Sequence, residues 1–189
     1  MRKVIVEVSA RHVHLSQKDL FTLFGRAYKL KKLKALSQPG QFAARETLLA
    51  VGPKHRLNIR VVGPVRTKTQ VELAISDARI LGVQRVFRLS GDQRGSGGDL
   101  TLRGPKGRVK LNSGVIIPLR HLHISPEQAR AWGLKSGQKV RAIVRSGARP
   151  LIFENIIVRS GPFQTRIHLD TDEGNAAGLL TETKIDLDI

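Results

Sequence analysis

Four of the chain's six histidines stand in two copies of one hexapeptide, Arg11-His12-Val13-His14-Leu15-Ser16 and Arg120-His121-Leu122-His123-Ile124-Ser125. On a β-strand, residues i and i+2 share a face, so each His-X-His aims two imidazoles at one point. Imidazole nitrogen is a favoured ligand for zinc and other borderline metals. The chain has no cysteine, which excludes disulfides and thiolate ligands and leaves metal coordination to His, Asp and Glu. A single His-X-His is more often a pair of ordinary polar strand residues. Its duplication in a histidine-poor chain points instead to two metal sites made by repetition.

Extending the repeat supplies a third ligand to each pair. Residues 69–83 align with residues 165–179 without a gap, and this register sets Glu72 opposite His168. The candidate triads are therefore His12, His14 and Glu72, and His121, His123 and His168. Three protein ligands with an open fourth position are the arrangement of a catalytic zinc. Glu46 is a carboxylate that could compete with Glu72, but it has no matching position in the second half. His55 lies in a Gly-Pro-Lys turn and reads as solvated. Asp170, Asp172 and Glu173 flank His168, either orienting its ring or starting a helix.

Arg66 precedes Glu72 by an even number of residues, so Arg66, Lys68, Gln70 and Glu72 share a face if the strand is continuous. A guanidinium beside a metal site suits a bidentate grip on phosphate or carboxylate. From spacing alone, a surface arginine is the commoner reading. Pro162 occupies the matching position in the second half, so the two halves are not expected to do the same job.

The elements that must hold these residues can be read from caps and turns. Each histidine motif runs into a helix-sized segment, residues 17–25 and 126–133. Ser16 and Ser125 serve as N-caps, Pro126 takes the first helical position, and Gly25 and Gly133 form the ends. Residues 69–83 and 165–179 read as a strand entering a short helix stopped by Gly82 or Gly178. Gln38-Pro39-Gly40-Gln41 has type II turn chemistry, and the glycine-rich stretch 91–98 reads as an exposed loop. The remainder is short alternating runs separated by Gly-Pro turns. The expected fold is mainly β: two small β-barrel domains related by the repeat, residues 1–116 and 117–189, capped by short helices.

Composition narrows the function. Lys and Arg number 33 against 15 Asp and Glu, a net charge of +18, while aromatic residues make up only 4%. Apart from the run Lys29-Leu30-Lys31-Lys32-Leu33-Lys34, the basic residues are spread along the chain. No aromatic stacking platform accompanies them, which argues against nucleic acid as partner. A basic surface that attracts small polyanionic substrates accounts for the same charge. The rival is a basic nucleic-acid-binding barrel with structural metal; a non-catalytic scaffold is disfavoured by the intact ligand set. No secretion signal or apolar run of roughly 18 residues is present, so the expectation is a soluble cytoplasmic protein with no membrane partner. Self-association into a homo-oligomer is left open.

The motifs together resemble the zinc-dependent phosphate propanoyltransferases, the phosphotransacylases of propanediol and acetate pathways. The resemblance is carried by the two histidine hexapeptides, Ser37-Gln38-Pro39-Gly40-Gln41-Phe42, Gly63-Pro64-Val65-Arg66 with Gln70-Val71-Glu72, Ser90-Gly91-Asp92, Gly114-Val115-Ile116-Ile117, and His168-Leu169-Asp170 with Asn175-Ala176-Ala177-Gly178. These occur in the family order over nearly the whole chain. The resemblance implies two β-barrel domains with the active site between them, the N-terminal strand packing with the C-terminal barrel. It implies a dinuclear centre of two zinc ions per chain, one on His12, His14 and Glu72 and one on His121, His123 and His168, with Arg66 facing phosphate. The implied reaction moves a short acyl group, propanoyl or acetyl, reversibly between coenzyme A and phosphate. Family members that enter microcompartments usually carry an N-terminal amphipathic extension. With only ten residues before Arg11, the expectation is a free cytoplasmic enzyme.

Overall fold

The computed structural model describes residues 1–145 and 147–189. In chain order the elements are β1 (Arg2–Ser9), β2 (His12–His14), α1 (Gln17–Phe24), β3 (Lys32–Ala35), β4 (Phe42–Val51), β5 (Arg56–Gly63), β6 (Gln70–Glu72), α2 (Ile75–Leu81), β7 (Phe87–Arg88) and β8 (Leu100–Arg103). They continue with β9 (Arg108–Leu111), β10 (Val115–Pro118), β11 (His121–Ile124), α3 (Pro126–Ala131), β12 (Lys139–Val144), β13 (Leu151–Ser160), β14 (Arg166–Asp170), α4 (Thr171–Ala177) and β15 (Thr183–Asp188). The chain divides into two compact units, Met1–Ala10 with Leu119–Ile189, and Arg11–Pro118.

The first of these units is a closed six-stranded barrel in the order β1-β14-β11-β13-β12-β15. β1 comes from the opposite end of the sequence, pairing parallel with β14 and antiparallel with β15. Closure removes the exposed strand edges that an open sheet must protect. Val4, Val6, Leu122, Ile124, Ile156, Val158 and Ile167 fill the core.

The unit Arg11–Pro118 is a nine-stranded curled sheet in the order β7-β10-β6-β2-β5-β4-β8-β9, with β3 paired onto β4. Its core is built from Val13, Leu15, Leu48, Ile59, Val61, Val71 and Leu102, closed over by Leu20 and Leu23 of α1. The mainly β, two-barrel expectation is met, one barrel being closed and the other an open, curled sheet. No helix among the described residues is long and apolar enough to cross a membrane.

The repeat is visible in the pairing. β2 lies between β5, parallel, and β6, antiparallel. β11 likewise lies between β13, parallel, and β14, antiparallel. The caps follow the sequence signals. Ser16 accepts a hydrogen bond from Asp19 N at 3.1 Å, and Ser125 accepts one from Gln128 N at 3.2 Å, with Pro126 opening α3. α2 and α4 stop at Gly82 and Gly178, whose φ angles of 75° and 62° lie in the left-handed region that glycine enters without strain. α1 ends at Gly25 as expected, whereas α3 stops one residue early at Trp132, and Gly133 follows at φ 68°.

Leu122 illustrates how the core serves the site. It is fully buried in the barrel, between His121 and His123 in sequence and therefore on the opposite face of β11. Leu122→Ala should cost about 2–5 kcal/mol of stability, measurable by urea unfolding. A loss under about 1 kcal/mol would mean that this strand is not anchored through its core face.

Candidate functional site

Each histidine pair meets its third ligand through strand register. In the β2–β6 ladder His12 lies directly opposite Glu72, and in the β11–β14 ladder His121 lies directly opposite His168. Side chains directly opposite on antiparallel strands stand about 4.5–5.5 Å apart at Cβ, so their polar tips can converge. In both triads, one ligand-capable atom from each residue lies within 4.8 Å of the others. The groups drawn together in sequence, His12 with His14 and Glu72, and His121 with His123 and His168, are thus assembled within one unit each.

Two of the imidazoles are oriented by backbone carbonyls. His14 Nδ1 is 3.1 Å from the carbonyl oxygen of Val62, and His121 Nδ1 is 2.8 Å from that of Leu119. A carbonyl can only accept, so each ring hydrogen sits on Nδ1 and the Nε2 lone pair is left for a ligand. Burial, the neighbouring His12 and the Arg66 charge hold His14 down to about 2, so its ring is neutral. His123 is likewise held far below the ordinary histidine range by burial, then by His168, His121 and Arg159. Phe163 stacks on its ring at 4.0 Å between centroids.

A metal ion fits both donor sets. Imidazoles with a carboxylate, or three imidazoles, are zinc ligand sets. Bonds of about 2.0–2.1 Å in a tetrahedron separate ligand atoms by roughly 3.3 Å. His123 Nδ1 lies 3.1 Å from His168 Nε2, and His12 Nε2 lies 3.6 Å from Glu72 Oε2. His123 Nε2 is buried and has no hydrogen-bond partner among the described residues, while its Nδ1 faces His168.

Residues outside the triads tie the ligand strands down. Arg11 donates to Asp77 at 2.8 Å, and Arg120 donates to Glu173 at 2.8 Å. These two pairs occupy matching positions of the repeat, each linking the arginine of a histidine hexapeptide to the third residue of a helix. Asp170 caps α4 by accepting from Glu173 N at 2.9 Å, and Asp170 N donates to Glu173 Oε2 at 3.3 Å. Asp170 and Glu173 thus start the helix, one of the two roles their position beside His168 suggested. Glu46 accepts from Tyr28 Oη and Lys31 N and belongs to neither triad. His55 is exposed in the β4–β5 turn. Gln41 N donates to Gln38 O at 3.1 Å and Gly40 has φ 74°, as a type II turn requires.

Arg66 is reached differently from the expectation. β6 begins only at Gln70, so no continuous strand carries Arg66, Lys68, Gln70 and Glu72 on one face. Residues 66–69 instead form a turn clamped to the start of α1. Arg66 N donates to Leu15 O at 2.8 Å, while Thr69 Oγ1 accepts from Ser16 N at 2.9 Å and donates to Asp19 Oδ2 at 2.5 Å. This turn brings Arg66, Lys68 and Gln70 to one cavity of about 610 Å³, shared with Asp92 and Arg94. Arg94 is paired with Asp92 through contacts of 3.0 and 3.1 Å, so Arg66 and Lys68 leave the lining net positive. The stretch 91–98, read as an exposed loop, contributes part of the wall.

The phosphate propanoyltransferase family model matches residues 5–180. Named relatives agree along the chain. The phosphate propanoyltransferase of Thermotoga maritima is 49% identical over 94% of this chain and 85% of its own length. Those of Rhodobacter capsulatus and Shewanella putrefaciens are each 44% identical, over 96% and 94% of this chain and 85% and 84% of their own lengths.

Burial pushes the Glu173 carboxyl up from 4.5 to about 7, against the opposing pull of Arg120. A folded-state value above the unfolded one gives a contribution that is full below pH 4.5 and lost as pH rises through 7. In chelator, wild-type stability relative to Glu173→Gln should therefore fall by up to about 3 kcal/mol across that window. Urea unfolding at a series of pH values measures it; a difference independent of pH would contradict the assignment.

Proposed function

Because the chain belongs to the phosphate propanoyltransferase family, we propose that this acyltransferase moves a short acyl group, propanoyl or acetyl, reversibly between coenzyme A and phosphate at a dinuclear zinc centre. The observation that supports the reading most directly is the pair of convergent ligand triads within the matched span. His12, His14 and Glu72 would hold one zinc, and His121, His123 and His168 the other. Zinc held there would supply Lewis-acid chemistry suited to a thioester carbonyl and a leaving thiolate.

The chain's own residues supply binding and orientation. Arg66 grips phosphate through its planar donor fork and turns one phosphate oxygen toward the acyl carbon. Lys68, in the same cavity, adds positive charge that gathers the anionic substrates. As the new carbon–oxygen bond forms, the carbon–sulfur bond breaks and its electron pair leaves on the coenzyme A sulfur. The products are acyl phosphate and coenzyme A. With no cysteine in the chain, no thiol can carry the acyl group on the enzyme, and direct attack by phosphate is the simpler course.

Metal-replete protein should contain about two zinc ions per chain, from the two three-ligand sets, and release free thiol from propanoyl- or acetyl-coenzyme A only when phosphate is present. Glu72→Ala and His121→Ala should each lower the zinc content to about one and kcat/KM by about 100-fold or more. Arg66→Ala should keep both ions and raise KM for phosphate by about tenfold or more, with a smaller effect on KM for the thioester. Absence of phosphate-dependent thiol release with every short acyl-coenzyme A would overturn the proposal.

A further inference from the structure

A carboxylate ligand has two oxygens and can turn either or both toward a cation, so something must decide which one Glu72 presents. In this chain the two oxygens have different surroundings. Ser90 donates its Oγ hydrogen to Oε1 at 2.5 Å, and Gln70 Nε2 approaches the same oxygen at 3.4 Å. Oε2 faces His12 Nε2 at 3.6 Å, longer than a hydrogen bond. Glu72 itself is buried, so water is not freely available to replace a lost partner.

Ser90 is in turn held in place. The carboxamide of Gln70 bridges the two elements, reaching Glu72 with its nitrogen and accepting Gly91 N on its oxygen at 3.1 Å. Farther along the same loop, Gln93 Nε2 donates to Thr69 O at 3.0 Å, and Ser96 Oγ accepts from Gly114 N at 2.7 Å. The loop is therefore stapled to the start of β6 and to the turn before β10. These bonds hold the backbone that carries Ser90 beside Glu72.

We propose that Ser90 is a positioning residue for the first metal triad: by occupying Oε1, it commits Glu72 to a single ligating oxygen, Oε2. The inference rests on the zinc reading of His12, His14 and Glu72 given above. Without the hydroxyl, the carboxylate is free to rotate among one-oxygen and two-oxygen modes, and the site loses its preset geometry. Partners of metal ligands typically account for about 10–100-fold in metal affinity. A serine that merely filled space would leave zinc affinity unchanged when shortened to alanine.

The test uses the full chain and competitive titration of zinc against a chelator, with elemental analysis, for wild type, Glu72→Ala, Ser90→Ala and Ser90→Thr. Wild type should hold two ions and Glu72→Ala one. In Ser90→Ala, the site that Glu72→Ala removes should weaken by about 10–100-fold while the other site keeps its wild-type affinity. Ser90→Thr, which retains the hydroxyl, should restore binding to within about threefold of wild type. Melting temperatures in excess chelator should match between wild type and Ser90→Ala, separating metal affinity from folding. If Glu72→Ala loses one ion and Ser90→Ala binds both with unchanged affinity, the role of Ser90 is overturned alone. If wild type binds no zinc, or Glu72→Ala loses none, the metal reading fails and this inference fails with it.

Discussion

The antiparallel registers that set His12 against Glu72 and His121 against His168 are the constraint on which the arrangement depends. Strand side chains alternate with a period of two, so a slip of one residue in either ladder would send the third ligand to the opposite face. What fixes the registers is apolar. Val13 pairs with Val71 and Leu122 with Ile167, all fully buried, at the positions adjoining the ligands. The burial that stabilises each sheet therefore also sets the geometry of the polar groups on its other side. Folding and ligand convergence share one cause.

Around that constraint, each polar group is held by a partner that limits what it can do. Carbonyls of Val62 and Leu119 set the ring tautomers of His14 and His121. Arg11–Asp77 and Arg120–Glu173 lock each histidine strand to a helix by equivalent contacts in the two halves. The halves then diverge. One triad carries a carboxylate and lies in the unit that holds Arg66 and the cationic cavity, whereas the other is made of imidazoles alone. Arg66 is close enough to contribute to the depression of His14. A duplicated scaffold thus holds two side-chain clusters of different charge, one of them in the unit that carries Arg66 and the cationic cavity.

The triads were legible in the sequence because both of their determinants are local or repeated. His-X-His is a strand-period signal, and the gap-free match of residues 69–83 with 165–179 carried Glu72 and His168 to equivalent places. Helix ends were legible for similar reasons, through Ser16, Ser125, Gly82 and Gly178. Arg66 was singled out by a parity argument that assumed a continuous strand, and the chain turns at residues 66–69 instead. Spacing could not show that, because the turn is fixed by contacts with Leu15, Ser16 and Asp19, some fifty residues away. Ser90 was invisible as a ligand partner for the same reason: it reaches Glu72 from a glycine-rich loop that composition alone reads as solvent-facing. The matched ion pairs of Arg11 and Arg120 left a trace, since Asp77 and Glu173 align in the repeat. The difference between a closed barrel and an open sheet left none.

Two strand registers each bring three side chains to one point, and the zinc reading requires a metal ion at each of those points. Anomalous X-ray scattering from crystals of zinc-loaded protein, collected on both sides of the zinc absorption edge, addresses it directly. Two anomalous peaks per chain are expected, one bounded by His12, His14 and Glu72 and the other by His121, His123 and His168. Peaks elsewhere, or none at either triad, would contradict it.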